Sequence, residues 1–501
     1  MKIKLIFGRS NLKIIDKMNK KNNLIRNTLI LGLGKVSTQL ISFLLLPLYT
    51  IFLSPGEYGT VDLIITYMAL SVPAITIQLE MAAFRFLIDA RDDEPEKQKI
   101  ISNVLQIITP ILITCLMLFA IANIFINIPY FGLILLIICS TIFSSLFLQL
   151  ARGLGENKKF AVASILAGLV TIITNIIFLV FLHMGAGGML LSIALANIFC
   201  CIYLLATLKI YKYINFKNKD KTLQKELIKY SFPLVPNGVS WWAVSVSDRT
   251  IISIVIGVAA NGIYAIANKF STILTGVFSI FSMSWTESAS LHINSDDRDS
   301  FFSDIYNSII KLYGSLGLIV IAAIPFVFGI LVDSKFNEAY LYIPILIAAT
   351  LLNAIAGLYG AIYIAKRMTK QVANTTIIAA VINVILTIVL IKFIGIYAAA
   401  IATAVAYLIM AVYRHYDSKK YVAITYEKGI FVKMAVLYAL VMVPYYFNNL
   451  IGNILSVVVI TGIVIILNRS ILKVMKDKAS DLKNRRQKRL TVEQELYEDS
   501  V

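Results

Sequence analysis

The chain has 501 residues, of which 58% are hydrophobic and only 15% are charged. Soluble domains carry about 25% charged residues, whereas this chain contains repeated apolar runs of about 20 residues, the length that crosses a bilayer as a helix. The composition excludes an ordinary soluble protein and predicts an all-α polytopic membrane protein. The net charge of +18 is spread over many short loops, which argues against a nucleic-acid-binding protein.

Fourteen apolar segments are predicted to span the membrane in chain order. After a basic segment at 1–26, a six-helix bundle is predicted over 27–208, with spans at 27–53, 58–86, 100–126, 131–151, 160–182 and 188–208. A linker at 209–229 leads to a second bundle over 230–413, with spans at 230–257, 262–287, 301–331, 338–364, 371–391 and 396–413. Two extra spans, 429–447 and 452–468, precede a basic tail at 469–501. For the ninth span, an alternative is that residues 301–311 lie at the membrane interface and the span proper begins after them.

The basic residues predict the orientation of these spans. With the N-terminus inside, the inner segments hold 38 of the 46 Lys and Arg residues, and the outer loops hold two, Lys335 and Lys392. Inner loops of membrane proteins carry such an excess. The sequence therefore predicts a multi-pass protein of the plasma membrane with both termini cytoplasmic and an uncleaved first helix.

Residues that carry enzyme chemistry are sparse. The three histidines are scattered, and no cysteine pair has the spacing of a metal or redox site. All four cysteines lie within predicted spans: Cys115, Cys139, Cys200 and Cys201. The sequence "GLGK" (32–35) lacks the remainder of a phosphate-binding loop. We therefore predict no metal site, no cofactor and no enzymatic activity, and leave open coupling to a proton or sodium gradient.

The two predicted bundles resemble each other in sequence. At an offset of 208 residues, Asn175 falls on Asn383 and Gly187 on Gly395, and at an offset of 206, Tyr58 falls on Tyr264. Six spans per half give both halves the same orientation, which is the parallel-repeat plan of many secondary transporters. The sequence thus predicts two parallel bundles around a central cleft, with a duplicated membrane scaffold as the alternative.

Six charged residues lie deep in the predicted spans. They are Lys35, Arg249 and Lys269 among the cations, and Asp62, Glu80 and Asp248 among the acids. Each costs about 2.5–3.5 kcal/mol at the membrane centre on insertion scales, so each requires a partner or water. Arg85 lies nearer the inner end of its span and can extend its side chain to the interface.

Depth along the helices suggests how these charges are grouped. Arg249 and Lys269 lie about ten residues before and after the short turn near 259–260, and so at similar depth. Two cations at one depth suit an anionic ligand, above all phosphate. A clamp of Asp248 on Lys269 is the alternative to a ligand-binding role.

The remaining deep charges allow further ion pairs. Lys35 and Glu80 differ in depth by about four residues, roughly 6 Å, which permits a salt bridge between them. Asp62 falls on Asn268 in the repeat, and we expect it to meet Lys269 or Arg249 as an outer gate. The predicted gate and ion-pair group is therefore Asp62, Glu80 and Arg85, and the predicted cleft group is Arg249, Lys269, Lys35 and Asp248.

The inner end of the seventh span is interrupted by "SFPLVPNG" (231–238). Pro233, Pro236 and Gly238 disturb helical hydrogen bonding and permit bending. We predict a hinge at these residues, with a static kink as the alternative.

Four stretches of the sequence resemble those of a known family. They are "LPLYTIFLSPGEYGTVDLI" (46–64), "YSFPLVPNGVSWW" (230–242), "SDRTIIS" (247–253) and "GIYAIANKFS" (262–271). In their order and spacing they resemble the Wzx-type polysaccharide flippases of the multidrug/oligosaccharidyl-lipid/polysaccharide exporter superfamily, over about residues 30–470. The resemblance implies a cationic cleft, which matches Asp248, Arg249 and Lys269.

The resemblance also implies a function and a setting. Members of the family move undecaprenyl-diphosphate-linked oligosaccharides, such as capsule, exopolysaccharide, O-antigen or teichoic-type units, from the inner to the outer leaflet of the bacterial cell membrane. The implied partners are the anionic lipid-linked oligosaccharide, membrane lipids, and a polysaccharide polymerase with glycosyltransferases. The alternatives are a drug/cation antiporter of the same superfamily and a non-transporting scaffold of an envelope-assembly complex.

Overall fold

The computed structural model describes residues 41–215, 219–469 and 473. The first half contains the helices α1 Ile41–Phe52, α2 Pro55–Ile75, α3 Leu79–Asp89, α4 Glu94–Ile126, α5 Phe131–Gly153, α6 Asn157–Asn175, α7 Gly185–Thr207 and α8 Lys221–Ser231. The second half contains α9 Val235–Val255, α10 Val258–His292, α11 Arg298–Leu331, α12 Ile343–Ala365, α13 Thr369–Ile394, α14 Tyr397–Ser418, α15 Ile430–Phe447 and α16 Leu450–Leu467. A π-helical turn, Ile176–Phe181, extends α6, and a 3₁₀ segment, Ser334–Tyr342, precedes α12.

These helices confirm the predicted all-α polytopic fold. Twelve helices of the described part are long and apolar enough to cross a membrane. Together with α1, whose predicted start lies outside the described residues, and α9, they account for the fourteen predicted spans. The ninth span is one continuous helix, α11, of 34 residues. At 1.5 Å per residue it is about 51 Å long, so it extends beyond a hydrocarbon core of about 30 Å.

The second predicted span is not one helix, which corrects the expectation for 58–86. The backbone leaves the helical region between α2 and α3, where Ile77 and Gln78 have φ values of 51° and 58°. The Thr76 hydroxyl stabilises the break, because it donates to the Val72 carbonyl at 2.8 Å and accepts from the Gln78 N–H at 3.2 Å. A hydroxyl that bonds nearby backbone groups competes with the helix, and Pro73, three residues earlier inside α2, also disturbs its hydrogen bonding.

The seventh span is divided at residues 232–234, within the predicted interruption at 231–238. Asp220 caps the N-terminus of the linker helix α8, because its side chain accepts from the N–H groups of Thr222 and Leu223. Lys99 lies 2.7 Å from Asp220 and holds the pKa of this carboxyl below its usual range. A 3₁₀ turn, Phe232–Leu234, then leads into α9, which has Pro236 in its first turn. Proline is tolerated in the first turn of a helix, so α9 can begin here as a helix separate from α8.

Packing between helices follows the same scheme in both halves. In the first half α7 packs on α5 and α6, and α3 packs on α5. In the second half α14 packs on α12 and α13, and α10 packs on α12. These are the helix pairs that the sequence repeat relates to each other.

The buried core differs between the two sides of the membrane, which are named here after the predicted orientation. On the outer side one cluster joins both bundles, with Leu46 and Leu190 from the first and Tyr264 and Ile321 from the second. On the inner side the described part has separate clusters, one around α3, α4 and α5 and another around Trp285. This arrangement corresponds to a cleft that is closed on its outer side.

Candidate functional site

Two glycines bring the bundles into backbone contact near the outer side. A methyl group at Gly59 of α2 would lie 2.0 Å from the Val258 carbonyl oxygen, and one at Gly262 of α10 would lie 2.0 Å from the Pro55 carbonyl oxygen. No real side chain tolerates such distances from backbone atoms. The closed crossing of α2 and α10 therefore requires glycine at both positions.

An ion pair joins the bundles one turn further in. Arg249 Nη1 of α9 donates to Asp62 Oδ1 of α2 at 2.8 Å and to Thr66 Oγ1 at 3.1 Å. Asn261 Nδ2 of α10 donates to Asp62 Oδ2 at 3.3 Å and to the Gly59 carbonyl at 3.2 Å. The Arg249 and Asp62 side chains are only 19% and 10% exposed. Removing either partner alone would leave an uncompensated buried charge, so the contact requires both residues.

Further polar contacts continue toward the centre of the membrane. The Trp242 indole N–H donates to the Thr66 carbonyl at 2.8 Å, and the hydroxyls of Tyr67 and Thr250 lie 3.0 Å apart. We call the contacts of α2 residues 59–67 with α9 and α10 the outer seam. The seam connects helices of different bundles, so the outer side can open only if it separates.

A cavity of about 110 Å³ adjoins the outer seam. It is lined by Tyr58, Asp62, Ile65, Met189, Arg249, Ala265, Asn268, Lys269 and Thr272. The cavity brings together Arg249 and Lys269, as their predicted depth suggested, and is also lined by Asp62 and Asn268. Lys269 Nζ donates to Ser42 Oγ of α1 at 2.9 Å. Two cations thus share this cavity with one acid.

Arg249 retains capacity for a further acceptor. Its Nε atom is buried and has no hydrogen-bond partner among the described residues. Lys269 forms no ion pair with an acid in the described part of the chain. Both cations are therefore placed to donate to an anion that enters the cavity.

Asp248 lies behind this cavity, inside the second bundle. Its Oδ2 atom accepts from the Tyr264 hydroxyl at 3.0 Å and from Thr403 Oγ1 at 2.7 Å. Asn383 Nδ2 donates to Thr403 Oγ1 at 2.9 Å. The expected clamp of Asp248 on Lys269 is not formed, and Asp248 does not line the cavity. Adjacent residues on a helix point about 100° apart, so Asp248 and Arg249 face different neighbours.

The other predicted charged residues lie elsewhere. Glu80 is buried in α3, on the inner side of the break after α2, and its Oε2 atom has no partner among the described residues. Lys35, its expected partner, lies outside the described residues. Arg85 pairs with Asp89 at 2.7 Å on an exposed face of α3. The break separates both residues from Asp62, so the three do not form one gate group.

The predicted hinge lies against the break that follows α2. A methyl group at Gly238 would lie 3.1 Å from Gln78 Nε2 and 3.3 Å from Pro73 Cβ. The interruption before α9 and the one after α2 therefore meet at the inner ends of the two helices that form the outer seam.

Sequence reasoning missed several residues of the site. Thr66, Asn261 and Thr403 are ordinary polar residues in apolar segments, and their roles depend on contacts more than 150 residues apart in the chain. Tyr264 and Asn383 did carry a signal, because both coincide with identical residues in the other half. The repeat therefore pointed to them, although not to Asp248 as their partner.

Comparisons with known proteins agree with this architecture. The sequence profile of a family described as "polysaccharide biosynthesis protein" matches residues 24–286, slightly more than half of the chain. No curated protein sequence matches the chain.

Solved structures show the same fold. The lipid II flippase MurJ, in an inward closed conformation, is 17% identical with a TM-score of 0.63, and the match covers 89% of this chain and 100% of MurJ. An inward-facing multidrug resistance MATE family transporter of the MOP superfamily is 13% identical with a TM-score of 0.63, covering 78% of this chain and 94% of the transporter. Its outward-facing form has a TM-score of 0.54 at 13% identity, covering 79% and 95%.

Proposed function

Because the chain belongs to the polysaccharide biosynthesis protein family, we propose that it is a flippase for an undecaprenyl-diphosphate-linked oligosaccharide. It moves this lipid from the inner to the outer leaflet of a bacterial membrane, with both termini cytoplasmic. The observation that carries the proposal is the intramembrane cavity in which Arg249 and Lys269 face a single acid, Asp62.

The chemistry of the cavity suits a diphosphate. The guanidinium of Arg249 is planar and donates parallel hydrogen bonds to phosphate oxygens, while Lys269 supplies a compact second charge. The cavity is too small for a sugar chain, so the saccharide occupies the space between the inner halves of the bundles. The polyprenyl chain stays in the bilayer.

Binding and gating are coupled through Arg249. In the closed seam one Arg249 nitrogen serves Asp62 and Thr66. A diphosphate in the cavity competes with Asp62 for the same guanidinium. When the phosphate replaces Asp62, the ion pair across the seam is lost and the outer side opens. The bundles then rock and expose the ligand to the outer leaflet, as alternating access requires.

The membrane potential favours this direction of transport. A diphosphate carries about two negative charges, and each gains about 2.3 kcal/mol per 100 mV when it leaves an inside-negative cell. The total is about 4.6 kcal/mol, so no ATP-binding site is required.

The alternative of a drug/cation antiporter is disfavoured by the charge of the cavity. A cationic substrate requires an unpaired acid, whereas Asp62 already bonds Arg249, and Lys269 lines the same cavity. A pure scaffold is disfavoured by the cost of keeping two cations within the membrane. We also propose that a polysaccharide polymerase and glycosyltransferases act together with the protein.

Depletion of the protein in its native host tests the function. We expect a diphosphate-linked saccharide to accumulate on the inner leaflet, measured by mass spectrometry of lipid extracts from inside-out vesicles treated with a membrane-impermeant glycosidase. Re-expression of the protein should remove the accumulated lipid. An unchanged lipid-linked saccharide pool in both leaflets would contradict the proposal.

A further inference from the structure

The linker helix α8 carries an exposed row of lysines. Lys221, Lys225 and Lys229 are all exposed, and their spacing of four residues places them in one stripe along the helix. In the described part of the chain none of the three forms an ion pair with an acid. Among the described residues, the stripe is therefore a positive surface without an acidic partner.

Large apolar side chains share this face of α8. At 100° per residue, Ile228 lies within about 20° of Lys221 around the helix, and so does Phe232. Phe232 keeps helical backbone angles and is 60% exposed, and Ile228 is 37% exposed. The opposite face is buried against the first bundle through Leu223 and Leu227. Internal packing therefore does not account for the apolar residues in the stripe.

The position of α8 in the chain places this face at the inner membrane boundary. The 21 residues of α9 span about 31 Å, close to the thickness of the hydrocarbon core. Phe232 lies three residues before α9 and Lys229 six residues before it. The apolar end of the stripe is thus nearest the hydrocarbon, and Lys229 follows about 9 Å before α9 along the helix, with Lys225 and Lys221 further from it.

We propose that the exposed face of α8 binds anionic phospholipid headgroups of the inner leaflet. Ile228 and Phe232 contact the acyl region, and Lys221, Lys225 and Lys229 contact the phosphates, as in other interfacial helices with a basic face. The lipid contact anchors the inner end of α9, the helix that carries Arg249. This inference is independent of the transported substrate.

Lipid binding to the purified full-length protein tests the proposal. After delipidation in neutral detergent, the protein is titrated with phosphatidylglycerol and with phosphatidylcholine, and bound lipid is counted by native mass spectrometry. We expect tighter binding of phosphatidylglycerol. Each lysine near an anionic surface contributes about fivefold in affinity, so the variant K221Q/K225Q/K229Q should lose at least tenfold.

A matched control removes the same charge elsewhere on the predicted inner side. The variant K370Q/K419Q/K428Q changes three exposed lysines of the second half and should bind phosphatidylglycerol like the parent protein. Equal losses in both variants, or no loss in the α8 variant, would overturn the proposal. So would equal binding of both lipids by the parent.

A depth measurement tests the same face without changing its charge. A nitroxide at I228C, in a background without the four native cysteines, should be more accessible to oxygen than to a water-soluble nickel complex in phosphatidylglycerol bilayers. A nitroxide at K428C serves as the exposed reference. Equal access of the nickel complex to both sites would contradict contact of α8 with the acyl region.

Discussion

Alanine at Gly59 should favour an open outer side. The new methyl group would lie 2.0 Å from the Val258 carbonyl oxygen, whereas real Cβ atoms stay beyond 3.0 Å, so α2 and α10 must separate by about 1 Å. Overpacking of this kind costs about 1–3 kcal/mol. The helix-forming advantage of alanine acts on both states and cancels. Since only the closed state carries the clash, the open population should rise about 5- to 150-fold.

Labelling of a cysteine in the cavity measures this shift. Thr272 lines the cavity behind the seam, so T272C in a cysteine-free background should react slowly with a membrane-impermeant thiol reagent added outside. Gly59→Ala should accelerate this reaction.

Gly56→Ala, one turn earlier in α2, is the matched control because a methyl group there has nothing within 4 Å. It should leave the labelling rate unchanged. Parental labelling in Gly59→Ala, or equal acceleration in Gly56→Ala, would show that the close contact at Gly59 does not hold the outer seam closed.

Further variants test the gate at Asp62, the buried carboxylate of Asp248 and the membrane topology. Asp62→Asn should raise outside labelling at T272C, because the ion pair across the seam is lost; unchanged labelling would remove Asp62 from the gate. Asp248→Asn should keep the melting temperature in detergent near that of the parent, because no basic side chain in the described part of the chain bonds this buried carboxylate; a large loss of stability would indicate a cationic partner outside the described residues. For topology, cysteine at Lys335 should label from outside and cysteine at Lys483 should not, and outside labelling at Lys483 would overturn the predicted orientation.

The spans were predictable because hydrophobic length alone specifies a membrane helix. The shared cavity of Arg249 and Lys269 was also predictable, since both residues are counted from the same short turn. For the break after α2, Pro73 gives a signal of bending in the sequence, but the hydrogen bonds of the Thr76 hydroxyl at the helix end were not predictable. Nor was the contact of Gly59 with Gly262, because it depends on how two distant helices cross.

Reconstituted transport tests whether Arg249 and Lys269 bind the diphosphate. Purified protein in liposomes is supplied with a radiolabelled undecaprenyl-diphosphate-linked saccharide, and its appearance in the opposite leaflet is followed with an impermeant glycosidase. Hydrogen bonds to charged groups contribute about 1.5–3 kcal/mol, so Lys269→Gln should slow transport about 10- to 150-fold. Lys433→Gln removes an exposed charge of α15 and should transport normally.

Arg249 requires a design that separates binding from folding. Arg249→Gln alone leaves Asp62 buried and unpaired, which destabilises the protein. The double variant Asp62→Asn/Arg249→Gln removes both charges and should fold, as judged by melting in detergent, yet fail to transport. Arg249→Lys should retain part of the activity. The decisive measurement is therefore transport by the folded double variant: we expect almost none, and transport at the parental rate would contradict the assignment of Arg249 to the substrate.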